Sequence, residues 1–154
     1  MKIHWKKLLI CIAIPLLTGL AASFLTRENM SLFDSIRKPP LSPPDWLFPV
    51  TWTVLYVLMG IASYLVLLTC KPDCTPLIVY SVQLAFNFAW SLFFFNLRLY
   101  LFSFLWLILL WLLILTTILL FRRISKTAAC LLLPYLLWVT FAGYLNFGIF
   151  LLNG

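Results

Sequence analysis

Apolar residues along this chain gather in long runs at residues 8–25, 47–69, 77–95, 99–121 and 128–152, and charge is confined to the segments between them. Each run holds about 20 residues, the length an α-helix needs to cross about 30 Å of hydrocarbon at 1.5 Å per residue. The pattern predicts an all-α membrane protein, with residues 1–154 forming one domain, a single bundle of five transmembrane helices. Short connections between the later runs require antiparallel neighbours.

Polar residues inside the runs are few and fall on helical stripes. In the third run Tyr80, Gln83, Asn87, Trp90, Ser91 and Phe94 follow three- and four-residue steps and so share one face. Amides turned toward lipid tails would leave donors and acceptors unmet at a cost of several kcal/mol, so this face points inward. Trp52, Tyr56, Met59 or Gly60, and Ser63 make a comparable stripe in the second run, and Tyr135, Trp138, Ala142 and Asn146 another in the fifth. Gln83 and Asn87 taken singly fit either interhelical packing or a site. Three aromatic-plus-polar stripes together favour a shared intrabundle cavity for a flat, apolar ligand. Trp5, Trp46, Trp106 and Trp111 fit interfacial belts or lipid contact instead. The fourth run, mostly Leu, Ile, Trp and Phe, reads as lipid-facing.

Pro15, Gly19 and Ser23 leave a strip without bulky side chains along the first run, as close helix packing or an open cavity wall would require. Ala85 and Ala89 give the third run a small-residue flank suited to a homodimer contact.

Mean hydropathy of +1.08 and a hydrophobic share of 64% leave too little polar surface to close a soluble globule. Glu28, Asp34, Asp45 and Asp73, the only acidic residues, all lie between runs, as do all eleven Lys and Arg. Ion-coupled transporters, proton pumps and voltage sensors depend on ionisable groups within the membrane, so these classes are disfavoured. The net charge of +7 is scattered over helix ends and suggests anionic lipid headgroups, not nucleic acid. Lys2, Lys6, Lys7, Lys71, Arg122, Arg123 and Lys126 fall on one side, against Arg27, Arg37, Lys38 and Arg98 on the other. This bias predicts a cytoplasmic N-terminus. Lys6 and Lys7 before an apolar stretch ending in Ala21, Ala22 and Ser23 have a signal-peptide flavour, but the stretch is long enough to span and is assigned as the first helix. Cys70 and Cys74 lack the histidines or second pair that a zinc site needs, and on the cytoplasmic side they are expected to stay reduced.

The longest connection, residues 26–45, ends in Lys38-Pro39-Pro40-Leu41-Ser42-Pro43-Pro44-Asp45, a stiff, extended segment. A connection of this length in so small a bundle suggests a lid over a site.

Lys38-Pro39, Pro43-Pro44, Trp46 and Trp52, then Gln83-Leu84, Asn87, Trp90-Ser91 and Phe94-Phe95, then Pro134-Tyr135-Leu136, Trp138, Phe141-Ala142 and Leu145-Asn146 form three ordered motifs. With Pro15 and Gly19, they make the chain resemble the translocator protein family, also called tryptophan-rich sensory proteins or peripheral benzodiazepine receptors, in its bacterial form. The resemblance implies a five-helix bundle, often a homodimer, whose cavity under the first loop binds porphyrins, isoquinoline carboxamide and benzodiazepine-type drugs and, in animals, cholesterol. In bacterial members it implies light-dependent breakdown of protoporphyrin. Carried over by position, it gives Trp52, Asn87, Trp90, Trp138 and Ala142 as lining, joined by Tyr56 from the second stripe, with Trp52 and Trp138 as the photochemical pair. The sterol motif of animal members needs Lys or Arg shortly after a tyrosine, and none follows Tyr144.

A porphyrin has a broad π-face and two propionates, so Arg27, Arg37 and Lys38 near the rim are candidate propionate contacts, unless they simply snorkel to the interface. No span holds a histidine, so ferric haem would have no strong axial ligand and a metal-free tetrapyrrole fits better. The expectation is a tetrapyrrole held as ligand, with no metal and no permanently bound cofactor, and chemistry carried by the illuminated ring. The alternatives are a carrier for tetrapyrroles or other hydrophobic molecules, and a stress sensor.

Overall fold

The computed structural model describes residues 3–70 and 74–154. The described chain is helical throughout its spans: α1 (Trp5–Phe33), α2 (Leu47–Thr69), α3 (Thr75–Ser91), α4 (Tyr100–Ile124), α5 (Lys126–Leu131) and α6 (Leu133–Asn153). The last two form one crossing, so five crossings are long and apolar enough for a bilayer. Helix α1 lies along α2, α3 along α4, and α4 along α6, with α5 closing onto α2. The protein is an integral multi-pass membrane protein.

Local sequence explains the ends. Pro76 sits in the first turn of α3, where its missing N–H costs nothing. Ser125 caps α5 by accepting the Ala128 N–H at 3.2 Å. Pro134 cannot donate to the Cys130 carbonyl, so the fifth crossing is interrupted at Leu132.

The third crossing ends in a widened π-helical turn, Leu92–Asn96, in which the Leu97 N–H reaches the Leu92 carbonyl at 3.1 Å. Three consecutive phenylalanines of the turn pack on both sides of it: Phe93 meets Phe102 and Trp106 of α4, while Phe94 and Phe95 both meet Phe33 of α1.

Two expectations from sequence need correction. The first helix does not stop at residue 25 but runs on to Phe33, so Arg27 belongs to a helix and the non-helical connection is residues 34–46. Nothing in Thr26-Arg27-Glu28-Asn29 breaks a helix, and Asn96 steadies the overhang by donating to the Leu25 carbonyl at 3.1 Å and accepting from Asn29 at 2.9 Å. The fourth helix is not simply lipid-facing. Ser103, Leu107, Leu110, Ile114, Thr117 and Phe121 form a buried face at the centre of the bundle. A helix apolar on every side gives no periodic signal of which face is covered.

Trp106 and Trp111 also depart from the belt assignment. Trp106 stacks on Phe86 at 4.3 Å between centroids and donates its indole N–H to the Phe86 carbonyl at 2.9 Å, fastening α4 to α3. Trp111 donates to Thr140 Oγ1 at 2.8 Å, fastening α4 to α6. Trp5 and Trp46 are largely exposed, as belt residues are.

The small-residue strip of α1 serves close packing. A Cβ on Gly19 would collide with the Tyr56 ring, and on the facing helix a Cβ on Gly60 would lie 2.8 Å from the Cys11 carbonyl oxygen. The loop containing Lys71, Pro72 and Asp73 lies outside the described residues, as do Met1 and Lys2.

Candidate functional site

The three polar stripes meet in the bundle interior. Gln83, Asn87 and Tyr135 are each about 1% exposed. Asn87 Nδ2 donates to Tyr135 Oη at 2.8 Å, and that hydroxyl donates to Gln83 Oε1 at 2.9 Å. Tyr56 Oη donates to Asn87 Oδ1 across a longer 3.4 Å. One short chain of hydrogen bonds thus links α2, α3 and α6 in a region where an unmet amide would be costly.

Aromatic rings lie over this polar floor. Trp52 stacks on Tyr56 at 5.5 Å and meets Tyr135 edge-on at 6.2 Å. Trp138 is held between Phe48 at 5.9 Å and Phe141 at 5.6 Å. Its indole nitrogen is buried and has no hydrogen-bond partner among the described residues, an unusual state for a tryptophan.

A second polar node lies further along the same faces. Trp90 Nε1 and Ser103 Oγ both donate to Asn146 Oδ1 at 3.1 Å, while Asn146 Nδ2 donates to the Tyr100 carbonyl at 2.8 Å. Trp90 therefore faces the interior through Asn146, stacked on Phe94 at 5.4 Å. Ala142 is buried on α6, one turn before Asn146. Tyr80, from the same α3 stripe, is buried against Phe121.

The loop after α1 is strapped onto α6. Asn153 accepts the Arg37 N–H at 3.0 Å and donates to the Arg37 carbonyl at 2.8 Å. Tyr144 Oη donates to the Pro40 carbonyl at 2.7 Å, and a Cβ on Gly148 would sit 2.7 Å from Pro39. Gly148 thus admits the proline ring. The loop, shortened at its start, is held along α6 from Asn153 to Tyr144.

The three candidate cations differ in placement. Lys38 is paired with Asp45 at 3.2 Å and Asp34 at 3.8 Å, with its ammonium over the Phe33 ring. Arg37 is exposed, held by its backbone alone in the bonds to Asn153. Arg27 lies over the ring of Phe24, itself exposed on α1.

Sequence reasoning gave too little weight to Tyr135, the residue shared by the hydrogen bonds and the aromatic cluster, and to Asn146. Both stood on the fifth stripe, and a hydroxyl or amide at helical spacing from a tryptophan was the signal. The straps through Tyr144 and Asn153 had no such signal, because their partners are backbone groups of a proline-rich loop.

The match to known proteins covers nearly the whole chain. The TspO/MBR family profile matches residues 11–152. The chain belongs to the TspO/MBR family. It is 42% identical over 150 residues to the tryptophan-rich protein TspO of Chlorobaculum tepidum, covering 95% of each chain. To the tryptophan-rich protein TspO of Archaeoglobus fulgidus it is 39% identical over 149 residues, covering 96% of this chain and 97% of the relative. To the translocator protein of Ovis aries it is 37% identical over 132 residues, 83% of this chain and 78% of the relative. The TspO/MBR assignment agrees with the five apolar crossings and the inward tryptophans.

Proposed function

We propose that this TspO/MBR member binds a protoporphyrin-type tetrapyrrole among the Trp52, Tyr56, Asn87, Trp90, Trp138 and Ala142 side chains and promotes its light-dependent oxidative degradation. The observation that carries the reading is the indole N–H of Trp138, buried and without a hydrogen-bond partner among the described residues, one helical turn along α6 from Tyr135, which meets Trp52 and accepts from Asn87. Small-molecule sites combine such apolar walls with a few convergent polar groups, and an orphaned donor gains most from a ligand acceptor.

Trp52 packs on both Tyr56 and Tyr135, so the ligand enters only when these rings part and the strapped loop lifts. The same pocket would accept flat synthetic ligands of the isoquinoline carboxamide or benzodiazepine type. Arg37 and Lys38 lie on the loop nearest the cluster and are the better propionate partners. Lys38 would exchange Asp34 and Asp45 for the incoming carboxylate.

The chemistry belongs to the ligand: the excited ring takes an electron from Trp52 or Trp138, whose indole is left oxidised to a radical, and dioxygen, the terminal oxidant, adds to the resulting ring radical and so breaks the macrocycle. With Trp52→Phe and Trp138→Phe combined, dark binding persists while protein-dependent photobleaching falls at least tenfold. Wild-type decay in that variant would overturn the mechanism.

The relatives named translocator proteins support a second reading, a carrier for tetrapyrroles or other hydrophobic molecules. Net porphyrin flux into sealed vesicles in the dark, above that of empty vesicles, would favour it. We also place the N-terminus in the cytoplasm, on the basic-residue bias.

A further inference from the structure

The loop that straps onto α6 carries a feature that its contacts within the bundle do not use. Leu41 adopts a left-handed backbone, φ 68°, which is uncommon for a residue other than glycine. The conformation turns the side chain outward, and Leu41 is 82% exposed, the most exposed large apolar residue among those described. Its neighbour Pro39 is buried against Gly148, and Pro40 is held by Tyr144, so the turn is fixed at both of these contacts and presents Leu41 from a rigid base.

The level of this turn relative to the bilayer follows from what flanks it. Trp46, at the other end of the proline segment and at the start of α2, is 65% exposed. Exposed tryptophan at helix ends marks the boundary between headgroups and acyl chains. Below Trp46, Val50 and Val54 continue an exposed apolar strip down α2 at four-residue spacing. Leu41, five residues before Trp46, is therefore displayed near that boundary.

We propose that the Pro39–Leu41 turn is seated in the membrane, with Leu41 inserted among lipid acyl chains at the interface. The partner is the bilayer itself: an aqueous lid would gain nothing from an exposed leucine in a left-handed conformation, whereas burial among acyl chains removes its apolar surface from water. Lifting the loop then means withdrawing Leu41 from lipid as well as breaking the α6 straps.

The test places a photoreactive benzophenone side chain at position 41 of the full chain in phosphatidylcholine nanodiscs, with mass spectrometry of the adducts after illumination. Position 137, an exposed leucine near the middle of the Lys126–Asn153 crossing, serves as the lipid-facing reference, and position 34, the exposed aspartate that opens the loop, as the aqueous reference. The expected result is lipid adduct at 41 of at least half the yield at 137, and little or none at 34. Adduct at 137 with none above the position 34 level at 41 would overturn the proposal. Dark porphyrin binding is measured separately, so failure of the tetrapyrrole reading leaves this outcome untouched.

Discussion

Tyr135→Phe is the substitution that most directly probes the polar floor. It removes one oxygen and keeps the ring against Trp52, so the aromatic packing is unchanged while two hydrogen bonds, at 2.8 and 2.9 Å, disappear. Interhelical hydrogen bonds in membranes average about 0.6 kcal/mol and reach about 1.7, while a buried group left without a partner costs about 1–3 kcal/mol. The variant loses both bonds and strands Gln83 Oε1 and Asn87 Nδ2, each buried from water. A loss of about 1–3 kcal/mol follows. Equilibrium unfolding in mixed micelles of increasing dodecyl sulfate content, followed by far-ultraviolet circular dichroism, measures it. A double-mutant cycle with Asn87→Ala isolates the shared bond at about 0.6–1.7 kcal/mol of coupling. Stability of Tyr135→Phe within 0.3 kcal/mol of wild type (roughly the noise of such cycles) would refute the claim that the network fastens α3 to α6.

Gly60→Ala should destabilise the bundle by about 1–3 kcal/mol, because the new Cβ meets the backbone of α1 at Cys11 and Ile12, and the same unfolding assay reads it. Asn153→Ala should free the loop end, seen as amide exchange at Arg37 at least tenfold faster than in wild type. Lys38→Gln breaks pairs with two largely exposed carboxylates, worth about 0–1 kcal/mol, so stability should be unchanged within about 0.5 kcal/mol. Its porphyrin affinity should nonetheless fall by about threefold to thirtyfold, and more weakly in high salt, as fluorescence titration would show.

The crossings and the inward stripes were legible from sequence because a polar side chain inside a bilayer has only one tolerable direction. Gln83, Asn87, Trp90 and Asn146 were constrained in that way, and each is paired inside the bundle. The buried face of α4 was not legible, since Leu107, Leu110 and Ile114 differ from their lipid-facing neighbours in neither size nor polarity. Trp106 and Trp111 misled for a related reason: an indole serves an interfacial belt or a helix contact equally well, and only the positions of the Phe86 carbonyl and the Thr140 hydroxyl decide. The overhang of α1 escaped detection because hydropathy marks where a helix leaves the apolar region, not where it ends. Positions on the candidate site divided the same way. Trp52, Tyr56, Asn87 and Trp138 stand at helical spacings that periodicity reveals, whereas the placement of Arg27 on the α1 overhang, beside Phe24, has no such signal.

The central claim, a tetrapyrrole site whose occupant is degraded by light, is tested most directly by titrating purified protein with protoporphyrin in the dark and then illuminating the same sample. The account predicts saturable quenching of tryptophan fluorescence, then loss of porphyrin absorbance well beyond a protein-free control. Absence of saturable quenching would contradict the site, and saturable quenching without that extra loss would contradict the photochemistry and leave the carrier reading.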